Sequence, residues 1–129
     1  MKYKIDVVRI RENSITLNGW AIGKSPESKA TFRVMDESKK PVRFRYVATR
    51  RDDVSQIYYK KIYDKDFGFD IQFPYERGHS YWLRIRCDGR EQRIKFNEEL
   101  IAKRASVAYK RLEKIHDLMN METVRVAVD

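Results

Sequence analysis

Aromatic rings and guanidinium groups are the residue types in this chain best suited to binding chemistry. Trp82 precedes two arginines in the alternating segment SYWLRIRC, and two more arginines alternate in PVRFRYVA. Flat rings beside forked donors can stack on sugar rings and bond their hydroxyl groups, or stack on bases and bond phosphates. The sequence therefore predicts a binding surface for a glycan or a nucleic acid. Its candidate residues are Trp20, Trp82, Arg43, Arg45, Arg84 and Arg86.

A structural role is the alternative for both tryptophans. Trp20 follows Gly19, and the missing side chain of a glycine lets a ring or another backbone come close. An outward-facing indole can also be covered by a long helix that the sequence predicts after residue 96, with arginine stems lying over the strands. The sequence leaves the binding role and the structural role open.

The sequence contains none of the residue sets that catalysis requires. His79 and His116 have no Cys or His partner at metal-ligand spacing. Cys87 alternates with Leu83 and Ile85 and is expected in the core, whereas a nucleophilic cysteine needs a base and a lowered pKa. No phosphate-binding glycine loop, zinc-protease motif or nucleophile elbow is present. We therefore expect no catalytic residue, metal or cofactor in this chain.

Length, composition and charge favour one folded domain with an anionic partner. The 129 residues suit one domain, and 42% hydrophobic residues exclude a disordered chain. The formal charge of +9 lies in residues 1–96, which hold 22 Lys/Arg and 13 Asp/Glu. Solubility alone is the alternative explanation of this charge. A single cysteine and the lack of an apolar leader or span predict a cytoplasmic location, with the inner face of the membrane as the alternative.

Alternating hydrophobic residues predict a mainly β fold in residues 1–96. Turn residues interrupt the alternation at roughly the spacing of an antiparallel β-sandwich, immunoglobulin-like or carbohydrate-binding-module-like. Seven strands are expected, one of them continuous through PVRFRYVA with both arginines on one face. Asp88-Gly89 predicts a hairpin turn, and Trp20 is expected to face outward because Leu17 and Ala21 face the core. The inward side chains of FGFDIQF are Phe67, Phe69, Ile71 and Phe73.

A short helix is predicted in the connection RRDDVSQIYYKKIY. An aspartate there can cap the first turn, and Val54, Ile57 and Tyr58 follow at helical spacing.

A longer helix is predicted to start at the cap residue Asn97 and to end near Met121. The sequence leaves three arrangements of this helix open. It packs on its own sandwich, it pairs with a second copy to form a homodimer, or it leads into a neighbouring domain. Its apolar seam consists of Ile101, Ala105, Ala108, Leu112, Ile115 and Met119. The expected organisation is a β-sandwich domain in residues 1–96, a helix or linker in 97–122, and the start of a following domain or a tail in 123–129.

Three segments together resemble a known module. ITLNGWAIG, FRVMDESKKPVRFRYVATRRDDVSQIY and DKDFGFDIQF are similar to the amino-terminal accessory β-sandwich of bacterial family 2 glycosyltransferases that build cell-surface polysaccharides. The shared features are an N-G-W or S-G-W strand, an R-x-D-V segment, and a G-F-D or G-F-E strand followed by an aromatic residue. The resemblance covers residues 5–96. Besides Trp20, the matching positions are Arg50, Arg51, Asp52, Asp53, Gly68, Phe69 and Asp70.

The resemblance implies an accessory role without catalysis in this chain. Such a domain would bind the glycan acceptor, or would dock the catalytic domain that follows it and partner subunits. A structural role is the alternative for the matching residues, with Asp53 bonding a buried arginine or capping the short helix. A nucleic-acid-binding module is the alternative function, since the basic charge coincides with the β-rich segment.

Overall fold

Eight strands form two antiparallel sheets in the computed structural model, which describes residues 1–104. The first sheet has the strand order β1-β2-β6-β5, and the second sheet has the order β4-β3-β7-β8. This confirms the mainly β, antiparallel fold. One helix, α1 (Asp52–Tyr59), connects β5 to β6. The strands are β1 (Lys2–Arg11), β2 (Ser14–Ile22), β3 (Thr31–Asp36), β4 (Pro41–Val42), β5 (Arg45–Thr49), β6 (Gly68–Pro74), β7 (Tyr81–Cys87) and β8 (Arg90–Phe96).

The main core lies where side chains of the two sheets meet. The Phe32 ring of β3 lies 4.9 Å from the Phe69 ring of β6, and Phe73 lies 5.7 Å from Tyr81 of β7. These residues occupy alternate positions of their strands, so they all point to the face of each sheet that meets the other sheet. The fully buried side chains of this core include Ile15, Leu17, Phe69, Ile71, Phe73, Leu83 and Ile85.

A second, smaller core lies under α1 on the opposite face of the first sheet. Trp20 is only 7% exposed there and packs with Ile22, Val54 and Phe67. Of the two roles left open for Trp20, the structural one is therefore supported: the ring is covered, and α1 is the helix that covers it. Trp20 does alternate outward from Leu17, but the short helix covers that side of β2, and the Tyr58 ring lies 5.1 Å from the indole. Phe67 precedes β6 and belongs to this cluster.

The predicted strand through PVRFRYVA is two strands in different sheets. Val42 of β4 pairs with Val34 in the second sheet, whereas Tyr46 of β5 pairs with Ile71 in the first. The chain crosses between the sheets at residues 43–44, which are outside any strand. Eight strands result where seven were expected, because each half of the segment finds its own backbone partners.

Local turn chemistry explains the connections only in part. Asp88 and Gly89 have φ values of 53° and 73° and close the predicted β7–β8 hairpin. The predicted aspartate cap of α1 is wrong, since the cap residue is Arg51 and makes no side-chain cap hydrogen bond. Asp52 and Asp53 instead lie in the first turn, where the positive end of the helix dipole stabilises acidic groups.

Residues Met1–Asn97 form one compact unit. Residues 98–104, which follow it, are helical, and Glu99 forms an ion pair with Lys103 at 3.7 Å. Ile101 belongs to this helical segment, but the other predicted seam residues and the alternating end of the chain lie outside the described residues. Within residues 1–104 no helix is long and apolar enough to cross a membrane.

Candidate ligand-binding face of the second sheet

The outward positions of three neighbouring strands form a basic face, which we call the arginine face. Alternation with buried residues turns these side chains away from the core, and the antiparallel register aligns them in three rows. The rows are Thr31–Arg86–Glu91, Arg33–Arg84–Arg93 and Met35–Trp82–Lys95. This face therefore carries five positively charged side chains and one carboxylate group.

The middle row places three guanidinium groups side by side on three strands. Arg84 lies in the centre with a side chain that is only 14% exposed. The pKa of Arg84 is lowered from its usual value, first because burial removes water and then because Arg86, Arg33 and Arg93 repel its charge. The three aligned guanidinium groups make this row the most strongly positive part of the face.

Glu91 is the shared carboxylate of the arginine face. Arg86 Nε donates to its Oε1 at 2.9 Å, and Arg93 Nε donates to its Oε2 at 3.1 Å. Arg84 adds an ion pair at 3.4 Å. The pKa of Glu91 is lowered, chiefly by the hydrogen bond from Arg86. Three guanidinium groups thus converge on one carboxylate group.

A cleft of about 320 Å³ opens beside Trp82 at one end of the arginine face. Trp82 is half-buried, and the Lys95 ammonium lies over its ring, 5.3 Å from the centroid. Asp36 is held in place because its Oδ1 accepts hydrogen bonds from the backbone N–H groups of Ser38 and Lys40 at 2.9 and 3.0 Å. The cleft combines an indole, two carboxylates and two basic groups, and its lining residues are Met35, Asp36, Glu37, Lys39, Trp82 and Arg93.

Three of the six predicted binding residues lie together on this face, and three do not. Trp82, Arg84 and Arg86 alternate outward on β7 as expected. Arg43 lies between strands and Arg45 belongs to the first sheet, so neither joins the arginine face. Both are exposed beside Phe44 and Gln72 in a shallow depression. Trp20 is buried under α1.

The residues that match the resemblance form a structural cluster next to α1. Arg51 donates two hydrogen bonds to Asp53, from Nε at 3.0 Å and from Nη2 at 2.9 Å, and a third to Asp6 of β1 at 2.7 Å. The Arg51 side chain is 28% exposed. Asp53 bonds an arginine as expected, but this arginine is half-buried and not buried. Arg51 lowers the pKa of Asp53 to about 2. The cluster ties α1 to the edge strand β1.

The remaining matching residues fit the same structural role. Arg50 Nε donates to Asp52 at 2.6 Å and Arg50 Nη1 donates to Asp64 at 2.5 Å. Arg50 therefore links the first turn of α1 to the segment between α1 and β6. Phe69 is buried in the main core, and Asp70 is half-buried on β6. These positions lie in the first sheet or beside α1, on elements that do not contribute to the arginine face.

Sequence reasoning missed Arg33, Arg93 and Glu91 as members of the face. Arg33 precedes the buried Val34 and Arg93 precedes the buried Ile94, so the sequence indicates the outward direction of both arginines, whereas Glu91 lies between two exposed residues. Their alignment with Arg84 depends on strand register and on the pairing of β3 with β7, which are distant in sequence. The sequence signals for the two arginines are the alternation of Phe32, Arg33 and Val34 and the alternation of Arg93 and Lys95 with Ile94 and Phe96.

Other titratable residues of the described part of the chain lie away from the arginine face or outside its rows. Within residues 1–104 no group of three His, Cys, Asp or Glu side chains is arranged to hold a metal. Cys87 is buried as expected, and burial raises its pKa. His79 is exposed and pairs with Glu37 and Glu76, and the hydrogen bond with Glu37 is the main cause of its raised pKa.

Comparison with known proteins yields little similarity. No protein-family model matches the sequence, and no curated protein matches it. Among solved structures, the chain is similar to a DUF4426 family protein from Pseudomonas aeruginosa PAO1, with 18% sequence identity and a TM-score of 0.32. The match covers 67% of this chain and 72% of that chain. Similarity at this level carries no argument about function.

Proposed function

We propose that the β-rich unit is a non-catalytic accessory domain of a family 2 glycosyltransferase of surface-polysaccharide synthesis, and that the arginine face binds the glycan acceptor. In this proposal the two sheets form a β-sandwich of the immunoglobulin-like or carbohydrate-binding-module-like kind. A long helix after residue 97 leads into the catalytic domain, and the protein acts in the cytoplasm or at the inner face of the membrane.

The observation that carries the proposal is the cleft beside Trp82. An indole offers an apolar plane for a sugar ring, while carboxylates and guanidinium groups next to it bond hydroxyl groups. Asp36 and Arg93 supply one acceptor and one donor group at the rim of this cleft. A ligand stacked on the indole would displace the Lys95 ammonium, which is exposed and carried on a flexible side chain.

Retention on polysaccharide gels tests the proposal with the two tryptophans as a matched pair. Trp82→Ala should abolish retardation of the protein while leaving its thermal midpoint nearly unchanged, because Trp82 lies outside the main core. Trp20→Phe should retain wild-type retardation, because Trp20 is under α1. Equal retardation of the wild type and Trp82→Ala would contradict glycan binding at this cleft and favour a docking role for the domain.

Nucleic-acid binding is the second candidate, because the middle row presents three aligned guanidinium groups. Binding to phosphates would fall steeply between about 50 and 300 mM salt, since counterions are released. An oligonucleotide mobility shift at low salt that disappears in Arg33→Gln would support it. Absence of a shift at low salt would exclude it.

A further inference from the structure

The strand register of the second sheet aligns three arginines, and this alignment indicates a negatively charged ligand. We propose that Arg33, Arg84 and Arg93 bind carboxylate groups of an acidic glycan, so that the arginine face selects uronic-acid sugars over neutral ones. The inference rests on the proposed glycan-binding function and specifies the chemical class of the acceptor.

The first argument is the alignment of the three arginines. Like charges directly opposite on neighbouring strands destabilise a sheet. Solubility requires a net charge but no alignment, since scattered basic groups serve it equally well. The row instead concentrates charge around Arg84, which is only 14% exposed. An anionic ligand that neutralises the row explains why these side chains share one line.

The second argument is that the face already holds a carboxylate. Arg86 and Arg93 donate to different oxygens of Glu91, and these three residues come from two neighbouring strands. Strands lie about 4.8 Å apart, so guanidinium groups on adjacent strands can share the two oxygens of one carboxylate. Arg33 lies on the other side of Arg84, where it has no acidic partner among residues 1–104. A ligand carboxylate between Arg33 and Arg84 would repeat the arrangement seen at Glu91.

The third argument is the distance between the row and the indole. Trp82 is two residues from Arg84 on β7, which corresponds to about 7 Å along a strand. A sugar ring stacked on Trp82 therefore brings a carboxylate attached to the same or the next ring within reach of Arg84. The planar pair of oxygens of a carboxylate matches the fork of a guanidinium group.

The number of aromatic side chains on the face favours an acidic glycan over a nucleic acid. Single-stranded nucleic acids bind to grooves in which several aromatic rings stack on successive bases. Trp82 is the one aromatic side chain among the outward residues of β3, β7 and β8 that the structure describes.

The test compares polygalacturonate with the same polymer after chemical reduction of its carboxyl groups. Affinity of the full chain is measured by isothermal titration for the wild type, Arg33→Gln, Arg93→Gln and Arg9→Gln. Arg9 is an exposed arginine of β1 in the first sheet and serves as the matched charge control. We expect the wild type to bind polygalacturonate at least about tenfold more tightly than the reduced polymer, because charged hydrogen bonds are lost. Arg33→Gln and Arg93→Gln should each weaken binding by about tenfold, and Arg9→Gln should leave it unchanged.

The outcomes distinguish two claims, that the arginine face binds a glycan and that it selects acidic glycans. Equal binding of both polymers, lost in Trp82→Ala, would overturn the acidic selectivity and leave glycan binding intact. Equal weakening by Arg9→Gln and Arg33→Gln would overturn the assigned site. Failure to bind either polymer would overturn both claims, and tight binding of an oligonucleotide in their place would assign the face to nucleic acid. Thermal midpoints of all variants show whether a loss of binding reflects unfolding, and the exposed Arg33 and Arg93 leave two independent variants for this purpose.

Discussion

The Arg51 side chain lies directly over Gly68. A Cβ atom at Gly68 would lie 2.6 Å from Arg51 Cγ and 2.2 Å from Thr49 Oγ1, so no larger residue fits there without movement. The absent side chain lets Arg51 reach Asp6 of β1 at 2.7 Å. The glycine of the G-F-D strand and the arginine of the R-x-D-V segment therefore form one structural unit.

Gly68→Ala should destabilise the protein by about 1–3 kcal/mol, because the added methyl group overlaps its neighbours. Removing the nearest atom with Thr49→Ala should reduce the cost of Gly68→Ala in the double variant. Urea denaturation of the four proteins measures this coupling. Additive effects of the two substitutions would show that Thr49 does not confine position 68.

Arg51→Gln should lower the free energy of unfolding by about 1 kcal/mol, since Arg51 joins Asp6 and Asp53 and is largely shielded from water. Arg50→Gln is the matched control. Its ion pairs with Asp52 and Asp64 are exposed, so its loss should have little effect. Thermal unfolding ranks the two variants, and a larger effect of Arg50→Gln would contradict the structural role of Arg51.

Acid stability should depend on Asp53. Its pKa falls from 3.8 to about 2 in the folded protein, so ionised Asp53 stabilises the fold above about pH 4. This contribution is lost as the pH falls through about 2, and it is reduced by solvent because the side chain is 58% exposed. Asp53→Asn should therefore flatten the decline of unfolding free energy between pH 4 and 2, measured by urea titration at each pH. An unchanged slope in Asp53→Asn would assign the acid sensitivity to other groups.

The two tryptophans should differ in stability as well as in binding. Trp20→Ala should cost about 3–5 kcal/mol, because it empties the cluster formed with Ile22, Val54 and Phe67. Trp82→Ala should cost far less, because Trp82 is half-buried at the surface. Differential scanning calorimetry gives both values, with Trp20→Phe as the milder variant should Trp20→Ala not fold. Equal destabilisation by the two alanine substitutions would place Trp82 in a core.

The sequence was informative wherever local chemistry decides the structure. Alternation on β7 predicted the buried Leu83 and Ile85 together with the outward Trp82, and Asp88-Gly89 predicted its hairpin. Alternation correctly predicted that Trp20 points away from the main core. It does not reveal that α1, which follows much later in the sequence, covers that side of β2. The exposure of a side chain depends on how all the strands and helices pack together.

The candidate site was predicted only in part for a similar reason. Periodicity gives the face of each residue but not which strand lies beside it. Arg45 was paired with Arg43 because the sequence alternates without interruption, whereas the backbone divides the segment between two sheets. Arg33 and Arg93 join Arg84 through long-range register, which no local pattern encodes.

Nuclear magnetic resonance with a short oligogalacturonate tests the central claim most directly. On titration, the amide signals that shift should belong to β3, β7 and β8, with the largest changes at Arg33, Trp82 and Arg84, and the Trp82 indole N–H should shift while that of Trp20 does not. Shifts confined to β5 or α1, or no shift at millimolar ligand, would contradict a glycan-binding arginine face.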